Sequence, residues 1–348
     1  MSDQAGAKVL VTGAMGFIGT RLVQALVEQG SSVRALARRD DFRSPPGLGF
    51  KDGAPLRHPQ VEIVRGDILD PESLARAMQG CDRVFHIAGY AKNWAPDPNT
   101  FFRVNVEGTK NVFDAARRAG VQRIVWTSTI QALGATGPGE VGDETHARSR
   151  VCFTEYEASK VQAEEVAARY VREGLDVVIV CPTRVYGPGH LTEGNSLSLI
   201  VDMYDRGQVP FLLNAGRNVG NYVFVDDLVQ GFLLAMQRGR TGEKYILGGE
   251  NVSLRQFFRT IDQVSGKRHW QLPVFRPGAL LFSWFQKQRA EWFGIYPQIT
   301  PGWVRTFLED RAYGCAKAER ELGYRWMPLV EGLRITYDWL LRVRGESK

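Results

Sequence analysis

Hydrophobic and polar positions in the first half of this chain follow two alternating periods. Short apolar runs at Val9–Val11, Val33–Ala37, Val61–Val64, Val84–Ile87, Arg123–Thr127 and Val177–Val180 read as buried strands. Between them lie stretches whose apolar residues recur three and four apart. These are Phe17–Glu28 (ending at Gly30), a segment opened by Asp70-Pro71-Glu72, then Asn99–Ala119 and Tyr156–Arg172. Asp70 is placed to cap its helix, with Pro71 in the first helical position, where its missing N–H costs nothing. Repeated strand–helix units with short links predict an α/β fold, a doubly wound parallel sheet covered by helices on both faces. Ligands then sit at the carboxyl ends of the strands.

The link between the first strand and the first helix narrows the ligand. Lys8-Val-Leu-Val-Thr-Gly-Ala-Met-Gly-Phe-Ile-Gly19 places three glycines at three-residue spacing between a strand and a helix N-terminus. Gly13 lets the chain turn, Gly16 removes a side chain where backbone approaches a pyrophosphate, and Gly19 lets helix and strand pack closely. The first N–H groups of the helix and its positive dipole end then face the phosphates. This is a dinucleotide cradle, and it makes the predicted sheet Rossmann-type.

After Pro182 the alternation fails. Thr183–Gly220 is rich in Gly, Pro and Asn; a strand–helix pair returns at Tyr222–Met236, with a strand at Lys244–Leu247. Helices follow near Leu254–Val264, Cys315–Leu322 and Leu329–Val343. The expected division is a dinucleotide-binding domain over 1–182, with 222–248 returning to it. A smaller, discontinuous C-terminal substrate domain takes 183–221 and 249–348.

Composition removes several function classes. The 348 residues carry a formal charge of +6, but the basic residues are dispersed and form no block that suggests nucleic-acid binding. Cys81, Cys152, Cys181 and Cys315 form no CxxC pair, which argues against a metal site and a disulfide framework and fits a reducing compartment. The opening Met-Ser-Asp-Gln-Ala-Gly lacks a signal pattern and no apolar run is long enough to span a bilayer, so a cytoplasmic location is expected.

Two further signals bear on chemistry. The second strand ends at Ala37-Arg38-Arg39, without the acid that usually holds an adenosine ribose 2′-hydroxyl. Arginines there suit a 2′-phosphate, so NADP(H) is expected ahead of NAD(H); the alternative is that both are solvated loop charges. Asp67 could accept from an adenine amino group or serve as a helix-entry residue. Tyr156 and Lys160 are four apart on one helix face, directly after the strand ending Trp126-Thr-Ser-Thr129. A cation beside a phenol lowers its pKa, which a general acid–base requires; the plain alternative is an ordinary exposed pair.

Taken together these residues resemble the extended short-chain dehydrogenases/reductases of the NAD-dependent epimerase/dehydratase superfamily. The resemblance is carried by Thr12–Gly19, Phe85-His-Ile-Ala-Gly89, Val104-Asn-Val-Glu-Gly-Thr109, Tyr156/Lys160, Pro182-Thr-Arg-Val-Tyr-Gly-Pro188 and Tyr222-Val-Phe-Val-Asp-Asp-Leu228. In style the chain is most similar to 3β-hydroxysteroid dehydrogenase-like and dihydroflavonol reductase-like members. The resemblance implies Tyr156 as catalytic acid–base, Lys160 as its activator and ribose contact, and Thr129, ahead of Ser128, as the substrate-orienting hydroxyl. It assigns the cofactor to Gly13, Gly16, Phe17, Ile18 and Gly19, with Arg38, Arg39, Asp67, Ile68, Ala88 and Pro182 around them. Asn105 becomes a supporting residue, and homodimers paired through helices that include the Tyr156 helix are implied.

For the substrate, Asn218 and Asn221 before Tyr222 match steroid-type members, whereas Arg217 keeps a nucleotide-sugar epimerase or dehydratase open as the alternative. The expected reaction interconverts a secondary alcohol and a ketone on a largely apolar small molecule. Tyr90, Trp94 and Arg184 are the other candidate substrate contacts. Trp270, Phe275, Phe282, Trp284, Phe285, Trp292, Phe293, Tyr296 and Trp303 crowd one region with Lys and Arg between them. They could line a pocket, touch a membrane surface or pack the small domain's core.

Overall fold

The first apolar run becomes β1 (Lys8–Thr12), an interior strand, third from one edge, of a seven-stranded sheet in a computed structural model that describes residues 7–38, 55–148 and 151–346. Then come α1 (Phe17–Glu28), β2 (Ser32–Ala37), β3 (Val61–Arg65), α2 (Pro71–Met78), β4 (Arg83–His86), α3 (Asn99–Phe102) and α4 (Gly108–Ala119). Next are β5 (Arg123–Thr127), α5 (Glu155–Arg172), β6 (Val177–Pro182), β7 (Arg184–Tyr186), α6 (Ser196–Asp205), β8 (Phe211–Leu213) and β9 (Val219–Phe224). The chain closes with α7 (Val225–Arg238), β10 (Lys244–Leu247), β11 (Glu250–Ser253), α8 (Leu254–Ser265), β12 (Leu272–Val274), α9 (Arg276–Phe293), α10 (Pro301–Leu308), α11 (Ala316–Leu322) and α12 (Leu329–Arg344).

The large sheet runs β3-β2-β1-β4-β5-β6-β10 with every neighbouring pair parallel, the Rossmann-type arrangement expected. Its strands read as unbroken apolar runs because both faces are covered; every residue of β6 is buried. Helix α1 packs against α7, and α4 packs against α2 and α5. Asp70 caps α2 by accepting from the Glu72 N–H, as its position implied.

The single helix expected over Asn99–Ala119 is instead α3 and α4 joined by a π-helical turn at Arg103–Glu107. One extra residue in a turn is invisible to apolar periodicity, since every residue there remains a helix former. Such turns are frequent at functional sites. Here the turn holds Asn105, which is buried and bonded to the Tyr90 backbone and to Ser159.

His86, at the end of β4, is fully buried between Thr12 Oγ1 (2.8 Å) and Thr109 Oγ1 (3.2 Å). Burial, aided by the Lys160 cation, pulls its pKa down to about 3. The unfolded chain therefore binds a proton at His86 below about pH 6.5 that the folded chain refuses. Stability is lost as pH falls through that window, by about 1.4 kcal/mol per unit from this one group. Urea unfolding at intervals between pH 6.5 and 4.5 should show this slope, and His86→Asn should flatten it. An unchanged slope in the variant would show that other groups carry the acid sensitivity.

The second half forms a three-stranded sheet, β11-β9-β7, and a two-stranded pair, β12-β8. Tyr204, Phe257, Phe258 and Trp339 anchor a separate core among α6, α8 and α12. Most of the aromatics between 269 and 303 do not join it. Trp270, Phe275, Phe282, Phe285, Trp292 and Phe293 are all exposed, so core packing does not account for them. Among the described residues no helix is long and apolar enough to cross a membrane.

Candidate active site

The glycine loop after β1 is shaped by contacts that exclude side chains. Gly13 has φ +74°, and a Cβ there would stand 2.8 Å from the Ala88 nitrogen. A Cβ on Gly19 would run into the Gly13 carbonyl oxygen. Gly16 is the N-cap of α1 with no side-chain cap, and the first turn holds no acid. A bare helix N-terminus in front of an open cradle is the arrangement that accepts a pyrophosphate, so these residues fit a dinucleotide.

That cradle opens into a cavity of about 540 Å³ lined by Gly13, Gly16, Phe17, Ile18, Gly19, Arg38, Asp67, Ile68, Ala88 and Tyr90. The Ala88 N–H is held by Thr12 Oγ1 at 3.3 Å. Asp67 Oδ1 accepts from the Leu69 N–H at 3.0 Å, which fixes the loop after β3. Arg38 is exposed at the rim, and Arg39 lies outside the described residues.

A second cavity, of about 230 Å³, shares Ile18, Ile87, Gly89 and Gly194 with the first. Around it the strand ends and α5 bring together Thr129, Tyr156, Lys160, Pro182 and Arg184. Thr154 caps α5 by accepting from the Glu157 N–H at 3.1 Å, which fixes where Tyr156 enters the site. Trp303, carried in on α10, stacks over the Tyr156 ring with centroids 6.4 Å apart and an interplanar angle of 18°. Thr129 Oγ1 also accepts from the Gln131 N–H at 3.2 Å, and Ser128 is engaged elsewhere, donating to Glu164 at 2.6 Å. Asn105 holds the Tyr90 backbone and donates to Ser159, thereby tying this loop to α5.

The electrostatics correct one expectation. Burial pushes the Tyr156 phenol up to about 12; the Thr129 hydroxyl pulls it down and Glu157 adds to the rise. Burial also brings Lys160 down to about 8, against the pull of Glu164. Its Nζ donates to the Thr127 carbonyl oxygen at 2.8 Å, so the ammonium serves the end of β5 and does not lower the phenol. At neutral pH the site therefore presents a protonated phenol.

Four candidate substrate contacts lie outside this second cavity. Asn221 is fully buried, its amide nitrogen donating to the Gly249 and Tyr313 carbonyls and to Asn251. Asn218 donates to the Leu308 carbonyl and to Asp310. Both asparagines fasten β9 to neighbouring segments, because a short amide satisfies buried backbone groups that an apolar residue would strand. Trp94 meets Tyr296 edge-on and lines a different cavity, between α9 and α10. Tyr90 faces the cofactor cavity, edge-on to Phe101. Arg184 does reach the second cavity, with NH1 donating to the Tyr222 hydroxyl at 3.0 Å and its guanidinium 5.0 Å from the Phe307 ring centre.

Several residues in the cavity wall carried no local sequence signal. Arg311 NH2 donates to Glu157 Oε1 at 2.8 Å, and both side chains are 3% exposed. Thr306 donates to the same oxygen at 3.0 Å. Arg311 Nε and NH1, Thr127 Oγ1, Gln131 Oε1, Thr183 Oγ1 and Trp303 Nε1 are buried without hydrogen-bond partners, and all five residues line this one cavity. Unsatisfied buried polar groups are rare, so their gathering at one place marks where a polar ligand sits.

Comparison with known proteins agrees with this architecture. The sequence model of the NAD dependent epimerase/dehydratase family matches residues 9–248. A provisionally named dihydroflavonol 4-reductase of Synechocystis sp. is 33% identical over 337 residues, covering 94% of this chain and 93% of that one. A 3 beta-hydroxysteroid dehydrogenase/Delta 5-->4-isomerase of Mycobacterium tuberculosis is 30% identical, covering 91% and 85%. Among solved structures, DesIV, a dTDP-glucose 4,6-dehydratase of Streptomyces venezuelae with NAD and TYD bound, is 27% identical. It has a TM-score of 0.74 and covers 97% of this chain and 98% of that one. UDP-sugar 4-epimerases at 20–22% identity share the fold. A dTDP-glucose 4,6-dehydratase of Streptomyces griseus is 30% identical, covering 97% of this chain and 95% of that one.

The expectation of NADP(H) is overturned by the same comparison: DesIV holds NAD, in two separate structures. The physical reason lies in Arg38, whose exposed guanidinium interacts through high-dielectric solvent and discriminates weakly for an extra phosphate.

Proposed function

The chain belongs to the NAD-dependent epimerase/dehydratase family, and from that premise we propose that it performs NAD(H)-dependent hydride transfer at a secondary alcohol carbon of a hydroxyl-bearing substrate. NAD(H), when bound, supplies or accepts the hydride. The residues of the chain handle the proton. Tyr156 donates its phenolic proton to the carbonyl oxygen in the reductive direction and accepts the hydroxyl proton in the oxidative one. The Thr129 hydroxyl orients the same oxygen, and Lys160 places a cation beside the strand end. Trp303, stacked on Tyr156, excludes water from the phenol.

The observation that carries this reading is the set of unpartnered polar groups around Tyr156. Arg311 and Trp303 offer donors and Gln131 an acceptor. Such a wall suits a substrate with several oxygens, such as the sugar of a nucleotide sugar, where NAD stays bound and is regenerated in each cycle. A second reading, a ring alcohol of largely apolar character, is supported by the Trp303–Phe307 side of the cavity and by the reductase and steroid dehydrogenase relatives.

One experiment separates them. The protein with NAD is offered UDP- and dTDP-hexoses in one arm and steroid-like or aryl alcohols in the other, with products and NADH absorbance followed together. Sugar conversion without net NADH supports the first reading, and stoichiometric NADH with a ring alcohol supports the second. Turnover in neither arm, with NAD bound, would overturn hydride transfer to these classes.

A further inference from the structure

Helix α9 is amphipathic in the inverted sense. Its buried face consists of Ala279, Ser283, Gln286 and Ala290, all small or polar. On the opposite face, three and four residues apart, stand Leu281, Trp284, Phe285 and Trp292, between 46% and 71% exposed. A helix whose only environment is water and its own domain turns its large apolar residues inward. Trp270 and Phe275, just before the helix in the chain, are exposed as well, at 77% and 67%. Contiguous apolar surface of this kind marks a docking surface.

Charge identifies what docks. From Lys267 to Phe293, Lys267 is paired with Asp205 and Lys287 with Glu291, which leaves Arg268, Arg276 and Arg289 as cations with no acidic residue of the segment against them. Those three positive charges equal half of the +6 of the whole protein. Two copies meeting through this strip would bring like charges together, so the charge opposes a self-paired interface. An anionic bilayer surface complements both features. Tryptophan and phenylalanine bed at the headgroup–acyl boundary, while lysine and arginine reach the phosphates beside them.

We infer that α9 and the segment before it form an interfacial helix that docks this protein, without spanning, on the surface of an anionic membrane. The aromatic face enters the headgroup layer, and the inner face stays on the protein, packed against α10. None of these residues lines the Tyr156 cavity, so docking is independent of the proposed reaction.

The test is sedimentation of the full chain with phosphatidylcholine vesicles, with and without phosphatidylglycerol, at low and high salt. Binding to the anionic vesicles at low salt is expected, with a tryptophan blue shift, and high salt should weaken it. Phe285→Ser with Trp292→Ser, and separately Arg276→Glu with Arg289→Glu, should each lower partitioning by about tenfold or more while the circular dichroism stays native. No binding to either vesicle overturns the inference. So does binding that survives both pairs of substitutions. A dimer in light scattering that Phe285→Ser with Trp292→Ser converts to monomer would assign the strip to a second copy and equally overturn it.

Discussion

Tyr156→Phe loses turnover by about 10²–10⁴-fold while binding NAD(H) as the unaltered protein does. The substitution removes one hydroxyl and leaves the ring on which Trp303 stacks, so the site keeps its shape. What disappears is the proton donor. Because burial holds the phenol near 12, Tyr156 carries its proton throughout the physiological range and is ready for the reductive direction. Oxidation must first place a proton on a phenolate, and its rate should therefore climb with pH. Reduction should stay level over the same range, because the phenol keeps its proton there. Pre-steady-state hydride transfer at several pH values measures both limbs. An oxidation limb that declines toward alkaline pH, or a Phe variant that turns over normally, would remove Tyr156 from the proton path.

How much of this site the sequence made legible depends on the range of the interactions involved. The glycine loop, Arg123–Thr127 and Lys244–Leu247 were readable because each is defined by neighbours in the chain: a turn, or an unbroken apolar strand buried on both faces. Tyr156 and Lys160 were readable because one helix carries both. Asn221 reads as a substrate contact because its place before Tyr222 matches steroid-type members, whereas its partners here include backbone groups brought from 249 and 313. The π turn at Arg103–Glu107 was hidden for a different reason, that its residues keep helical propensity. For α9, aromatic density gave the residues and left their side open, because composition does not say which face of a helix meets its domain. Arg38 after β2 named a phosphate that the NAD of DesIV does not carry. Local charge there was legible, but its exposure was not.

The least legible feature is the pair that joins α5 to the segment after α10, and its loss should have the largest effect on stability. Arg311 and Glu157 are 154 residues apart, and no local pattern links them. Glu157 Oε1 takes donors from Arg311 and Thr306, and Oε2 takes the Phe153 N–H at 2.7 Å. Arg311→Met leaves that carboxylate buried without a counter-charge, which should cost about 3–5 kcal/mol. Glu157→Gln leaves the arginine equally stranded, with burial already drawing its pKa down. Combining the two substitutions removes both charges, so the double variant should recover most of the loss. Urea unfolding of the four proteins gives the coupling directly. Additive losses would show that the two residues act separately. Turnover adds a second reading of the same variants. Arg311 also brings two unpartnered nitrogens, Nε and NH1, to the wall of the Tyr156 cavity, so a double variant restored in stability should still raise KM for a substrate with an oxygen at that wall. A restored fold with unchanged KM would confine Arg311 to holding α5 in place.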